Sequence, residues 1–453
     1  MNTSYRRETY QRIGARARFH AEHHERLAEE PVHFGETLGA IMQINRRHLV
    51  LGAAATTGLS TLGSRRVFAA DRIRIGAILP LSGTAELVGT KQRIGIEIAR
   101  DQINAAGGVL GRQIEIVFGD DKGDPNQTIA RAREMTGSGV NLIIGPSLTA
   151  LSIALTGVIQ SLDAVMMTPS SPFDPLTHEL FNRNFFRLAD NNFTRNRALA
   201  RAMAQNFPNV TVWGGMISDF SVGHDSWKQF TAGLKEFYPQ YAKKDVTILD
   251  VTTAKFGTTD YKTQIFRLLQ SPAQGVLSVM IGADMITMWK QAKTLGLSDK
   301  LEVVVDAGGE LDLPIILGRD MPKNVWSVLH WYFGNTNPNK ANQDLVAEIL
   351  KRTGDKTPSS LTGPAYGAVF SYAAAIKAAN STKTADVVNA LENVKVLTPK
   401  GEIYFRKEDH QQVGPVSILG SVPGPDGANL KTYFEIPAGE IIDPPTPGVQ
   451  LKI

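Results

Sequence analysis

The 453-residue chain contains no cysteine. No disulfide can brace it, and no lipid can be attached at a cysteine lipobox. It also lacks a GxxxxGK[ST] phosphate loop, so nucleotide hydrolysis must belong to another chain. No GxGxxG follows a strand, and neither HExxH nor GxSxG occurs. Beyond residue 70 the histidines are His178, His224, His330 and His410, scattered along the chain. His410 follows Asp409, but no nucleophile stands at a motif position, so it reads as a hydrogen-bonding residue. The expectation is a non-enzyme without cofactor or metal. There is no useful excess of charge either. The formal charge is +4. Residues 1–41 are neutral, residues 42–70 hold Arg46, Arg47, Arg65, Arg66 and no acid, and the remainder is balanced. The pI near 9.0 therefore reflects the leader, and no nucleic-acid partner is implied. After Leu62 no apolar run reaches membrane-spanning length.

Residues 1–41 read as a polar leader, disordered or upstream of the true start, with Met42 the plausible first residue. Residues 42–70 read as an export signal. Asn45-Arg46-Arg47-His48-Leu49 precedes a mild apolar run, Val50 to Leu62, and Val67-Phe68-Ala69-Ala70 suits a signal peptidase. The paired arginines resemble a twin-arginine signal; an ordinary secretory signal is the alternative. Either route carries the product to the periplasm.

The stretch Arg72 to Asp121 sets the pattern for the rest of the chain. Ile73, Ile75 and Ala77 alternate as a strand ending at Pro80. Ile94, Ile98 and Ile103 recur with helical spacing and stop at Gly107-Gly108. Ile114, Ile116 and Phe118 alternate again. This βαβ unit implies a parallel sheet with helices on its faces and ligands at the carboxyl ends of its strands. Strands and helices continue to alternate through two halves: Val140–Ile144, Val165–Met167 and Phe185–Leu188, then Val210–Ile217, Val246–Val251, Val276–Ile281, Val303–Asp306 and Val325–Trp331. The fold class is α/β.

Pro80-Leu81-Ser82-Gly83, the run Asn104-Ala105-Ala106-Gly107-Gly108-Val109-Leu110-Gly111-Arg112, and Asp120-Asp121 with Pro125 resemble the leucine/isoleucine/valine-type periplasmic binding proteins of ABC importers. Asp219 before Gly223, Lys290-Gln291-Ala292 and Asp409-His410-Gln411 extend the resemblance to about Phe434. It implies two Rossmann-like lobes joined by three crossing segments near Asn191, Trp331 and Asp409, with the ligand cleft between them. Lobe 1 would comprise 71–191 plus 331–409, and lobe 2 would comprise 192–330 plus 410–453. It also implies a monomeric solute-binding subunit that closes by a hinge and delivers to permease subunits, with the ATPase on separate chains. The ligand would be a branched-chain amino acid or a related amino acid, amide or carboxylate. The alternative is a ligand-sensing receptor domain feeding a signalling partner.

The site residues come from strand ends and from the resemblance. Ser147, Leu148 and Thr149 open a helix after a strand, where free N–H groups favour a carboxylate; plain N-capping by Ser147 or Thr149 needs no ligand. The resemblance implies that the Thr149 hydroxyl and the turn Thr168-Pro169-Ser170-Ser171 hold that carboxylate, although Ser170 and Ser171 also suit a turn by themselves. Ser82 belongs to the first strand-end loop. Phe220 and Gly282 would face the cleft from lobe 2, and Phe220 as core is the alternative. Asp306 and Glu310 lie near where the family supplies an acid for an ammonium group; each also reads as a solvated loop carboxylate. Asp284 reads as a helix cap. Val88, Val222 and the segment Ile281–Asp284 lack aromatics common in amino-acid binders. If neither Asp306 nor Glu310 enters the cleft, the ligand is expected to lack an amine.

Overall fold

The computed structural model describes residues 72–452. The segments read as leader (1–41) and export signal (42–70) lie outside the described residues.

In chain order the first lobe begins β1 (Ile73–Leu79), α1 (Glu86–Ala105), β2 (Ile114–Asp120), α2 (Pro125–Gly137), β3 (Leu142–Ile144), α3 (Thr149–Ile159), β4 (Val165–Thr168) and β5 (Phe185–Arg187). Its five strands pair in the order β2-β1-β3-β4-β5, all parallel. The chain then leaves through Asn191. The second lobe runs α4 (Asn192–Asn206), β6 (Val212–Ser218), α5 (Ser221–Phe237), β7 (Thr247–Ala254), α6 (Lys262–Gln270), β8 (Gly275–Val279), α7 (Gly282–Thr294), α8 (Leu297–Lys300), β9 (Val303–Asp306), α9 (Asp312–Leu317) and β10 (Val325–Leu329). Its strands pair as β7-β6-β8-β9-β10 in parallel, the same winding as the first lobe.

The chain crosses back after β10. Helices α10 (Lys340–Thr353), α11 (Thr362–Ala379) and α12 (Thr384–Leu391) cover the first sheet. A small antiparallel sheet comes next, made of β11 (Lys395–Thr398), β12 (Gly401–Phe405) and β13 (Gln412–Val413). A third crossing leads to β14 (Val416–Gly424) and β15 (Gly427–Ile436), which extend the second sheet antiparallel beyond β10. The tail then turns back to the first lobe, where Asp443 accepts from His178 Nε2 (2.5 Å) and Asn191 Nδ2 (2.8 Å).

Each sheet is apolar on both faces, as a helix-covered parallel sheet requires. One face of the first sheet packs Ile73, Ile75 and Ile144 against Ile96, Tyr366 and Tyr372; the other packs Ile78 and Ile143 against Met135, Leu155 and Ile159. The second sheet does the same with Trp213, Phe230 and Val305 on one side and Met216, Trp289 and Val304 on the other. Helix α1 meets α11 through Gly95, where an added Cβ would lie 2.3 Å from the Thr362 carbonyl oxygen. Among the described residues no helix is long and apolar enough to cross a membrane.

The structure also holds a helix that the sequence pattern did not predict. In α4, eleven of fifteen residues are buried, among them Asn192, Thr194, Arg195 and Asn196. Its inward face is partly polar, so it has no clean apolar stripe to read.

Candidate functional site

In each sheet the winding reverses beside its first strand, between β1 and β3 and between β6 and β8. Loops leaving such neighbouring strands diverge and open a crevice at the carboxyl edge. The proposed loops lie there: Ser82 after β1, Ser147–Thr149 after β3, Ser170 and Ser171 after β4, Phe220 after β6, Gly282 after β8, and Asp306 at the end of β9.

The lobe-1 loops are tied together. Strands β3 and β4 pair from Leu142↔Val165 to Ile144↔Met167, so their loops start side by side. Gly145 turns away at φ +99°, with Ile78 oxygen 2.1 Å from where a Cβ would stand. Only glycine permits that turn. Thr168 Oγ1 donates to the Pro146 carbonyl at 2.7 Å, and Ser170 Oγ donates to the Ser147 carbonyl at 2.9 Å. Gln92, buried in α1, donates from Nε2 to Ser170 Oγ at 2.9 Å and accepts from Ser147 Oγ through Oε1. Ser171 Oγ pairs with Ser152 Oγ at 2.5 Å. Ser147, Ser170 and Ser171 therefore converge, and their hydroxyls are used in bracing.

That bracing corrects the capping alternative. The N-cap of α3 is Leu148, in extended conformation, with no side-chain cap. The N–H groups of Thr149 and Ala150 have no acceptor among the described residues, and neither does the Thr149 hydroxyl. Thr149 is half-buried. A helix start with open donors carries partial positive charge and suits an anionic or electronegative group. Ser82 stands apart from this cluster, donating to Asp120 Oδ2 at 2.5 Å.

Lobe 2 is different. Phe220, half-buried, precedes α5 in extended conformation, and its N–H is spent on Ser218 oxygen at 2.9 Å. Gly282 is exposed at φ +56° at the head of α7, beside exposed Ile281. Asp284 is not the cap of that helix, a correction to the sequence expectation. Ile281 holds the cap position, and Asp284 accepts from the Gly257 N–H at 2.7 Å. Asp306 is fully buried and accepts from the N–H groups of Gly308 (3.1 Å) and Gly309 (3.0 Å). Burial pushes its carboxyl up to about 7, against the pull of those two bonds. Glu310, at φ +53°, accepts from Arg195 Nη2 at 2.8 Å and from Ser360 Oγ, a residue on the first-lobe side just before α11. His330 lies 3.1 Å from Arg195 Nη1, and burial and that guanidinium hold it well below its ordinary pKa. Reading Asp306 or Glu310 as a solvated loop carboxylate is thus corrected, since both are buried and bonded within the chain.

Two residues went unforeseen. Gln92 shares the buried face of α1 with Ile96, Ala99 and Ile103; a polar residue on an apolar stripe was the available signal. Arg195 had none, because its partner is 115 positions away. Among the described residues no cluster of three or more His, Cys, Asp or Glu could hold a metal.

Two doubly wound lobes of the same winding joined by three crossings define a two-lobe binding protein of the type I periplasmic kind. The chain belongs to the periplasmic binding protein family, whose model matches residues 72–424. Membership places it among periplasmic binding proteins rather than among enzymes. It is 27% identical over 342 residues to the leucine-, isoleucine-, valine-, threonine- and alanine-binding protein of Pseudomonas aeruginosa, covering 74% of this chain and 86% of that one. The similarly named protein of Brucella ovis, in a closed conformation, superposes with a TM-score of 0.73 at 20% identity, covering 84% of this chain and 100% of that one. A solute-binding protein of Rhodopseudomonas palustris BisB5, in complex with 3,4-dihydroxybenzoic acid, gives a TM-score of 0.68 at 18% identity, covering 81% and 98%.

Proposed function

We propose that this chain is the extracytoplasmic solute-binding subunit of an ABC importer. It captures a small polar ligand by hinge closure and delivers it, as a monomer, to membrane permease subunits after export through a twin-arginine-type signal. The observation that carries the reading is the head of α3. The donors at Thr149 and Ala150 are open, and the loops around them are held by the Gln92–Ser147–Ser170 ring. Preorganised donors spend little free energy on ordering when a carboxylate arrives. The ligand-binding set is Ser82, Ser147, Leu148, Thr149, Ser170, Ser171, Phe220, Gly282, Asp306 and Glu310. Within it, Thr149 with the loop backbone makes the contacts, Ser147, Ser170 and Ser171 brace, and Phe220 and Gly282 close from the other lobe. Asp306 and Glu310 shape lobe 2 from behind. The Pseudomonas aeruginosa relative is named for five amino acids, and the Rhodopseudomonas protein holds an aromatic acid; both bring a carboxylate.

A thermal-shift panel of amino acids, amides, dicarboxylates and aromatic acids tests this. A ligand at 100 times its Kd should stabilise the fold by about 2.7 kcal/mol. Small-angle scattering should then show the protein contracting with that ligand. A bound ligand that leaves the scattering curve unchanged would refute hinge capture.

A further inference from the structure

We propose that the solute is a carboxylic acid without an ammonium group. The inference rests on the solute-binding function proposed for the chain and narrows it. A zwitterion enclosed between two lobes needs a donor for one end and an anionic or carbonyl partner for the other, because a buried unpaired charge is costly. The first lobe offers donors at Thr149 and Ala150. The strand-end carboxylates that would balance an ammonium group already have partners inside the chain.

Glu310 is the clearest case. Its Oε1 takes the Arg195 guanidinium at 2.8 Å, and its Oε2 takes the Ser360 hydroxyl. The two side chains of the ion pair are only 4% and 12% exposed. Arg195 thus supplies, from the chain, the cation an amino acid would have brought. An incoming ammonium could claim Glu310 only by stranding a buried guanidinium. Ser360 also ties this pair to the binding loops. Two residues on, Thr362 Oγ1 donates to the Lys91 carbonyl, and Lys91 precedes Gln92, which braces Ser147 and Ser170.

The other acids are less open to a cation than a free carboxylate. Asp306 holds two N–H groups of its own loop on Oδ1, and although its Oδ2 has no partner among the described residues, burial pushes the carboxyl up to about 7, toward the neutral form. Asp284 takes the Gly257 N–H, and Asp219 takes His224 Nε2 at 2.7 Å. In lobe 1, Asp120 takes the Leu81 N–H at 2.9 Å along with Ser82. Asp121 takes the Gly123 N–H on Oδ1 and is raised to about 6 by burial. Asp312, at the head of α9, is a further acid. Burial and the like charge of Glu310 raise its carboxyl, with Lys91 pulling the other way. A carboxyl so placed is a poor receiver for a cation. The crevice offers open donors, its best-placed acid, Glu310, is neutralised by Arg195, and Asp306 and Asp312 are pushed toward the protonated form.

The test is titration calorimetry on the purified full chain with matched probes. Apolar, aromatic and small polar amino acids are each compared with their 2-oxo and deaminated acids and their amides; benzoate and 4-hydroxybenzoate complete the set. At least one amine-free acid should bind tenfold or more tightly than its amino acid, and Asp312→Asn should preserve that order. An amino acid binding as tightly as its deaminated acid overturns the inference and leaves the importer reading intact. So does an amide that binds when the acids do not, or amino-acid binding that Asp312→Asn selectively abolishes. A cooperatively melting protein that binds none of the probes overturns the inference and the solute-binding reading together.

Discussion

The two lobes share one winding and treat their strand-end loops in opposite ways. In lobe 1 the loops after β3 and β4 are hydrogen-bonded to each other and to Gln92, and the donors at the head of α3 are left over. In lobe 2 the acids after β6, β8 and β9 bond within the chain: Asp219 with His224, Asp284 with Gly257, Asp306 Oδ1 with Gly308 and Gly309, and Glu310 with Arg195, while Asp306 Oδ2 stays buried without a partner among the described residues. What lobe 2 turns outward includes exposed Ile281 and half-buried Phe220 beside the exposed Asp219–His224 pair. On the proposed solute-binding function the difference would give the lobes different tasks. Lobe 1 would hold the polar end of a guest in the open form, and lobe 2 would gain contact on closing, since only differential contact can shift the open–closed equilibrium.

The largest effect should come from breaking lobe 2's internal neutrality. Arg195→Met removes the cation of a buried pair and leaves Glu310 with the Ser360 hydroxyl and the His330 ring, whose Nε2 lies 3.5 Å from Oε1. Breaking such a pair from one side costs about 3–5 kcal/mol. Urea unfolding should show that loss with or without ligand. A cost under about 1 kcal/mol would mean that Glu310 has another route to neutrality, and the contrast between the lobes would weaken.

A second experiment on the same lobe uses pH. The Asp306 carboxyl sits at about 7 in the fold against 3.8 as its ordinary value, with burial the cause. Between those values the native state keeps a proton that the unfolded chain has released. The group's contribution is therefore most favourable below about pH 4 and is lost as pH rises to about 7, by at most about 1.4 kcal/mol per pH unit. Asp121, raised to about 6 by burial, acts in the same direction. Asp306→Asn should remove one group's share of the slope between about pH 4.5 and 7.5. An unchanged slope would show that Asp306 is ionised throughout.

These residues also show what a sequence can and cannot reveal. The βαβ unit was legible because Ile73, Ile75, Ile114 and Ile116 alternate and Ile94, Ile98 and Ile103 recur with helical spacing; most of these pack in one core, with Ile94 and Ile116 partly buried against it. The Ser147–Thr149 and Ser170–Ser171 loops were legible because strand ends mark them. The use of their hydroxyls was not. Ser147 would cap α3 if it were local, but its hydroxyl goes to Gln92, 55 positions away. Helix α4 was missed for the same reason. The partners of its buried polar face, Asp225 for Asn192 and Glu310 for Arg195, come from distant segments. Local pattern reports whether a side chain is apolar; it does not report where a polar one finds its partner.

Lobe 1 should respond to loss of its brace more mildly than lobe 2 to loss of Arg195. Gln92→Leu leaves the hydroxyl of Ser147 without its acceptor and that of Ser170 without its donor, inside a buried site. Unsatisfied groups of this kind cost about 1–3 kcal/mol. Affinity for the panel's best ligand should also fall more than tenfold, because the loops lose their fixed spacing. If stability falls and affinity does not, the ring is structural and the donors do not depend on it.

The smallest change in stability, and the sharpest test of the contrast, is Thr149→Val. The side chains are alike in shape, and the Thr149 hydroxyl has no partner among the described residues. Its removal should therefore alter the unliganded stability by less than about 0.5 kcal/mol. Binding should weaken more than tenfold, about 1.4 kcal/mol, if the hydroxyl is kept open for the ligand. Gln92→Leu couples stability to affinity; Thr149→Val should separate them, because one residue builds the site and the other is left over for the guest. A Thr149→Val protein that binds normally would move the contact to the backbone N–H groups of the α3 head, which the substitution leaves in place.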